Sequence, residues 1–242
     1  EDRISFGNGS TELLAQIARI SIAAGDEAIV PAPTFPTCAE SVVLSGGTVV
    51  SVPVTEEGYN DVIAMLAAIT DKPRLFYLCT PNNPTGTAIP ADLVRRAATE
   101  VPDNCMLAID EAYFEFSSAR EGDSVLDILK TRTGPWVITR SFSKAYGLAG
   151  MRVGYAFTSD AELCTAFWNL RTSFNINRVA LAGTAAALDD EDYLADVLHK
   201  TTTERGRLFA GLESLGFKPF QSEANFVTCR SVGPAARFVK AL

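Results

Sequence analysis

Short apolar runs alternate with amphipathic stretches along the first two thirds of the chain. Glu27-Ala28-Ile29-Val30, Val49-Val50-Ser51-Val52, Leu75-Phe76-Tyr77-Leu78 and Met106-Leu107-Ala108-Ile109 read as buried strands, since apolar residues on consecutive positions fill both faces of a sheet. Leu13 to Ala23, Thr37 to Leu44, Asp61 to Ala68 and Ala91 to Glu100 instead repeat apolar residues at helical spacing. This alternation predicts an α/β fold with a mostly parallel central sheet and helices on both faces. Trp136 to Thr139 and Val153 to Phe157 predict two further strands, flanking a polar, glycine-containing loop. From Ala180 to Leu215 the pattern is helical, punctuated by Asp189-Asp190-Glu191-Asp192, and Gly216 to Pro219 and Asn225 to Thr228 suggest short strands. A first domain over residues 1–185 is therefore expected, followed over 186–242 by a linking helix and part of a small α+β domain. No repeat, low-complexity segment or flexible linker separates them, so close packing through the long helix is expected.

Composition narrows the partners. With 242 residues and 47% hydrophobic content the chain can bury a sizeable core. A net charge of -8 argues against a nucleic-acid surface, which needs clustered Lys and Arg. No apolar run approaches the ~20 residues that span a bilayer, and the first residues lack the order of a signal peptide, so a soluble protein and no membrane partner are expected. The five cysteines are scattered and never spaced as C-x-x-C, which suggests a reducing cytoplasm rather than a disulfide framework or a zinc site. Residue 1 falls just before a glycine turn and residue 242 within a helix predicted over 233–242, so both ends read as cut.

Four segments hold candidate chemistry. Phe6-Gly7-Asn8-Gly9-Ser10-Thr11 places glycines before a helix start that Ser10 or Thr11 can cap, and backbone N–H groups there can hold a phosphate. Such a turn is by itself ordinarily structural. Cys79-Thr80-Pro81-Asn82-Asn83-Pro84-Thr85-Gly86 is a rigid loop leaving a strand, where open α/β sheets bind ligands, although Asn before Pro is also a common turn. Asp110 ends an apolar strand with Tyr113 three residues beyond; a carboxylate there either caps the next segment or faces a cation such as a metal or a protonated ring nitrogen. His199 is the only histidine, so no metal site is predicted. Ser141-Phe142-Ser143-Lys144 with Arg152 strings hydroxyls, a lysine and an arginine between two strands. A lysine becomes a Schiff-base nucleophile when desolvation or neighbouring cations lower its pKa, and Arg152 with the two serines could hold a phosphate dianion.

In this order the segments resemble the fold-type I pyridoxal-phosphate enzymes over nearly the whole chain. The phrases Pro-Asn-Asn-Pro-Thr-Gly and Ser-Lys-Ala-Tyr-Gly-Leu-Ala-Gly-x-Arg are most similar to those of histidinol-phosphate aminotransferases and aromatic-amino-acid aminotransferases. The resemblance implies pyridoxal 5'-phosphate as cofactor, bound to Lys144, which would also move the proton between the substrate and the cofactor. It implies that Asp110 faces the pyridine nitrogen, that Asn83 and Tyr113 hold the phenolic oxygen, and that Phe35 stacks on the ring. The phosphate would lie on the Gly9-Ser10-Thr11 turn, Ser141, Ser143 and Arg152. The implied reaction moves an amino group from histidinol phosphate or an aromatic amino acid to a 2-oxo acid such as 2-oxoglutarate, in a homodimer. Related enzymes also have an earlier segment with a tyrosine that reaches the partner subunit's phosphate, and a later arginine for the substrate carboxylate. Neither has a counterpart here, so this chain is expected to bind cofactor better than it turns over substrate. Decarboxylases and C–S lyases use similar lysine loops, and some regulators carry an aminotransferase-like module; Lys144, Asp110, Asn83, Tyr113 and Arg152, all intact, speak against decay to such a module.

Overall fold

In a computed structural model of the protein, residues 2–117, 124–230 and 240 are described. The strands of the main sheet are β1 (Ile4–Asn8), β2 (Glu27–Ala32), β3 (Thr48–Pro53), β4 (Pro73–Cys79), β5 (Met106–Asp110), β6 (Trp136–Ser141) and β7 (Val153–Thr158), in the order β1-β7-β6-β5-β4-β2-β3. β3, β2, β4, β5 and β6 run parallel, whereas β7 is antiparallel to β6 and β1 is antiparallel to β7. The six strands expected in the first two thirds of the chain all form in this sheet. β1 is an addition, lying where the glycines alone suggest a turn.

Both faces of the sheet are covered. Helices α1 (Ser10–Ser21), α2 (Thr37–Leu44) and α7 (Ala161–Leu170) lie on one side, α3 (Val62–Ala67), α4 (Ala91–Glu100) and α6 (Val125–Leu129) on the other. Strand alternation sorts the residues between them: Met106 and Ala108 join Leu13, Ile17, Val42 and Phe167 in one core, while Leu107 and Ile109 join Met65, Val94 and Leu129 in the other. Asp110, next in step after Ala108, therefore emerges on the α1 and α2 side. A short helix, α5 (Phe114–Ser117), follows the β5 turn.

Beyond the sheet come α8 (Arg178–Asp189) and the long α9 (Glu191–Ser214). The acidic run does break them apart: Asp190 stands between the two and caps α9 by accepting the Tyr193 N–H at 3.1 Å. The expected boundary at residue 185 falls inside α8. A two-stranded antiparallel pair follows, β8 (Lys218–Pro219) and β9 (Cys229–Arg230). The strand expected at Asn225 to Thr228 does not form; those residues precede β9 in a turn committed to contacts with the sheet's loops. The helix expected over 233–242 lies outside the described residues. Among the described residues no helix is long and apolar enough to cross a membrane.

Candidate active site

The loops at the carboxyl ends of β4, β5 and β6 and the start of α1 converge on one cavity of about 150 Å³, lined by Ser10, Thr11, Phe35, Cys79, Asn83, Asp110, Ala112, Tyr113, Ser141, Ser143, Lys144, Ala149 and Arg152. A water molecule occupies roughly 30 Å³ of liquid, so the space admits an organic ligand. Every candidate site residue but Gly9 lines it, and Gly9 stands directly behind the wall.

The inner wall is buried. Asp110 is 2% exposed; its Oδ1 accepts the Thr139 hydroxyl at 2.9 Å and the Ala112 N–H at 3.2 Å, and its Oδ2 accepts the Tyr77 hydroxyl at 3.3 Å. The carboxylate thus braces the following turn, as one reading expects, and it also lines the cavity. Burial pushes its pKa up to about 6, against the pull of Thr139, Tyr77, Ala112 and the Lys144 charge. A carboxylate held this way gains from a cationic partner. Behind it Glu111, one step along the strand and so on the opposite face, accepts the Arg140 guanidinium at 2.7 and 2.8 Å and ties β5 to β6.

The two asparagines of the β4 loop divide the work. Asn82 is fully buried and serves the loop itself, donating to Pro33 O at 3.1 Å and to Thr85 Oγ1 at 2.9 Å while accepting the Thr34 hydroxyl at 2.8 Å. Asn83 faces the cavity and donates from Nδ2 to the Tyr113 hydroxyl at 3.2 Å. Burial pushes Tyr113 up to about 12, so it stays a neutral phenol that can both donate and accept.

The rim is different in kind. Lys144, Arg152 and Thr11 are exposed, and among the described residues Lys144 Nζ makes no hydrogen bond or ion pair; its neighbour is the Tyr113 ring, 5.2 Å to the centroid. The loop that carries it is nonetheless braced. Phe142, Val153 and Ala180 form a small core beneath it with Tyr146, Leu148 and Met151, and the Leu148 N–H donates to Phe142 O at 3.0 Å. Arg152 sits in the left-handed region at φ 57° and donates to Ala149 O at 2.9 Å. A non-glycine residue in that region costs roughly 1 kcal/mol and persists where its surroundings fix it.

The helix start is made by glycine and not by a side-chain cap. Gly9 is the N-cap of α1 at φ 75°, and neither Ser10 nor Thr11 caps the helix as the sequence suggests. A Cβ on Gly9 would lie 2.4 Å from Arg152 Nη2, and one on Gly154 would lie 2.3 Å from the Ser10 nitrogen. The two glycines let β7, Arg152 and the α1 N-terminus close on one another. The result is a cradle of helix-start amides, two serines and a guanidinium that suits a phosphate. Cradle, buried acid and rim lysine together fit a phosphorylated pyridine aldehyde. Sequence reasoning misses Thr139 and Tyr77, which hold Asp110 from neighbouring strands, and Cys79, whose position at the end of β4 was the available signal.

Such a sheet and cavity define the class of fold-type I pyridoxal-phosphate transferases. The fold matches a solved histidinol-phosphate aminotransferase of Sinorhizobium meliloti in complex with pyridoxal-5'-phosphate, with a TM-score of 0.90 at 34% identity over 99% of this chain and 64% of that one. The family description Aminotransferase class I and II matches residues 1–242, and the chain belongs to that family. Similar curated proteins include histidinol-phosphate aminotransferase 2 of Carboxydothermus hydrogenoformans, 39% identical over 97% of this chain and 64% of the relative. Another is the aromatic amino acid aminotransferase of Mycolicibacterium vanbaalenii, 37% identical over 97% of this chain and 66% of the relative. The chain thus spans less than two thirds of the length of these relatives.

Proposed function

We propose that the protein is an aminotransferase that uses pyridoxal 5'-phosphate to move an amino group between histidinol phosphate, or an aromatic amino acid, and a 2-oxo acid, 2-oxoglutarate being the expected acceptor. The observation that carries this reading is the buried Asp110 on one wall of the cavity that bears Lys144 on its rim. The names of the relatives at 37 to 39% identity support the choice of substrates.

When bound, the cofactor supplies a protonated ring that draws electrons from the substrate's α-carbon. Asp110, fixed by Thr139 and Tyr77, keeps the proton on the ring nitrogen. Lys144, unencumbered at the rim, attaches the cofactor and then carries a proton to and from the α-carbon. Asn83 and Tyr113 would hold the phenolic oxygen, and Phe35 would stack on the ring. The Ser10 and Thr11 amides beside Gly9, with Ser141, Ser143 and Arg152, bind the phosphate. The chain is read as a cofactor domain over 1–185 with a linking helix and part of a smaller domain over 186–242, working in a cytoplasmic homodimer.

Borohydride reduction of the cofactor-loaded protein followed by peptide mapping tests the central assignment: a pyridoxyl group is expected on Lys144, and its presence on another lysine, or on none, overturns it. Histidinol phosphate and phenylalanine assayed side by side with 2-oxoglutarate decide the donor.

A further inference from the structure

Asn83 and Tyr113 stand on separate loops. Asn83 lies in the turn after β4 and Tyr113 three residues past the end of β5, and neither is held there by a sheet ladder. A single hydrogen bond of 3.2 Å joins them. What bridges the two loops is the turn at residues 222–228, in the segment whose sequence suggests a strand. On one side it is sewn to the asparagine loop: the Glu223 N–H donates to Gly86 O at 2.7 Å, and the Thr228 hydroxyl donates to Pro84 O. Gly86, at φ 77°, leaves no room for a Cβ beside Ser222. On the other side Ala224, fully buried, packs with Ala112 and Tyr113, and Phe226 meets the Tyr113 ring edge-on, with centroids 5.3 Å apart and planes at 85°. Ser222 Oγ closes the turn by accepting the Ala224 N–H at 3.1 Å, and Arg205 of α9 donates to Ala224 O at 2.8 Å.

We propose that Phe226 is a positioning residue for the reaction: held by this turn, its ring edge fixes Tyr113 so that the phenol stays on Asn83 and the pair meets the cofactor's phenolic oxygen as a unit. The proposal rests on the cofactor assignment above. An edge-to-face contact is comparable in strength to the hydrogen bond it protects, so its loss frees the ring to swing away from Asn83. Fewer donors then reach the phenolic oxygen. Its uncompensated negative charge holds a proton on the adjacent Lys144-linked nitrogen to higher pH.

The test is a pH titration of the visible absorption band of the full chain loaded with pyridoxal phosphate, compared among wild type, Phe226→Ala, Tyr113→Phe and the double variant. Phe226→Ala is expected to raise the midpoint by about half to one pH unit, the equivalent of roughly one hydrogen bond, and to add nothing in the Tyr113→Phe background. Phe226→Leu, which keeps apolar bulk without the ring edge, is expected to fold as the parent and shift the midpoint less, in the same direction. A wild-type midpoint in both Phe226 variants, or an equal shift with and without the Tyr113 hydroxyl, overturns the proposal. A wild-type protein with no lysine-bound band overturns the cofactor assignment itself, and the role of Phe226 with it.

Discussion

The inner wall of the cavity and its rim are built on opposite terms. On the wall, Asp110 is buried at a strand end with three donors aimed at it, an arrangement that exists before any ligand arrives. On the rim, Lys144 and Arg152 are exposed on a loop between antiparallel strands. The wall carries a standing electrostatic cost that a cationic ligand would relieve, whereas the rim stands open to solvent. On the proposed reading, selectivity for a protonated ring would belong to the wall, and covalent chemistry to the rim.

The widest separation is expected from Lys144→Ala. Loss of the rim amine should reduce turnover by at least about 10²–10⁴-fold, the usual worth of a positioned acid–base group, while thermal unfolding of the cofactor-free protein stays unchanged. A large drop in its melting temperature would break the distinction. Asp110→Asn should do the reverse without cofactor. A carboxyl whose folded pKa of about 6 lies above its ordinary 3.8 costs nothing below pH ~4, costs progressively more as pH rises to 6, and the full amount above. The variant is therefore expected to unfold at higher denaturant than wild type at pH 8, by up to about 3 kcal/mol, with the advantage gone at pH 4. Turnover should still fall, because an amide cannot hold the ring proton.

Gly154→Ala sharpens the comparison where wall and rim meet. Its Cβ would collide with the Ser10 backbone, and an overpacked site costs typically 1–3 kcal/mol, so lower stability together with weaker cofactor binding in an equilibrium titration is expected. The smallest effect is assigned to Thr139→Val. Removing one donor from Asp110 should destabilise the cofactor-free protein by about 1 kcal/mol at pH 8 and less at pH 4, where the carboxyl is protonated.

Much of this was legible in the sequence because each constellation is contiguous. Asn83, Asp110 with Tyr113, and Lys144 with Arg152 each sit in one phrase beside a recognisable strand, and the fold needed only to bring the phrases together. What stayed hidden depends on register between strands. Tyr77 reads as core within an apolar run, and its reach to Asp110 exists only because β4 lies beside β5. Composition alone does not separate Asn82 from Asn83; the resemblance picks Asn83, and the loop's path shows why, burying Asn82 and leaving Asn83 on the cavity. β1 was masked by Gly7 and the neighbouring Gly9: Gly7 makes room for Leu13 and Glu12 of α1, and Gly9 makes room for Arg152. α7 was passed over between two more conspicuous segments. The turn at 222–228 misled for a similar reason: its apolar residues serve Tyr113, far away in sequence, and not a strand partner.

The pairing of β1 with β7 also sets an order of events during biosynthesis. The parallel strands from β2 to β6 can each find a neighbour soon after synthesis, but β1 must wait for Val153 to Thr158, about 145 residues further along the chain. At ordinary translation rates that delay is on the order of ten seconds. The cradle, which needs Gly9 and Gly154 in contact, therefore closes after the loops of β4 and β5 are made. Nascent chains stalled before Val153 should leave Ile4 to Asn8 open to protease, and chains stalled well after Thr158 should protect it.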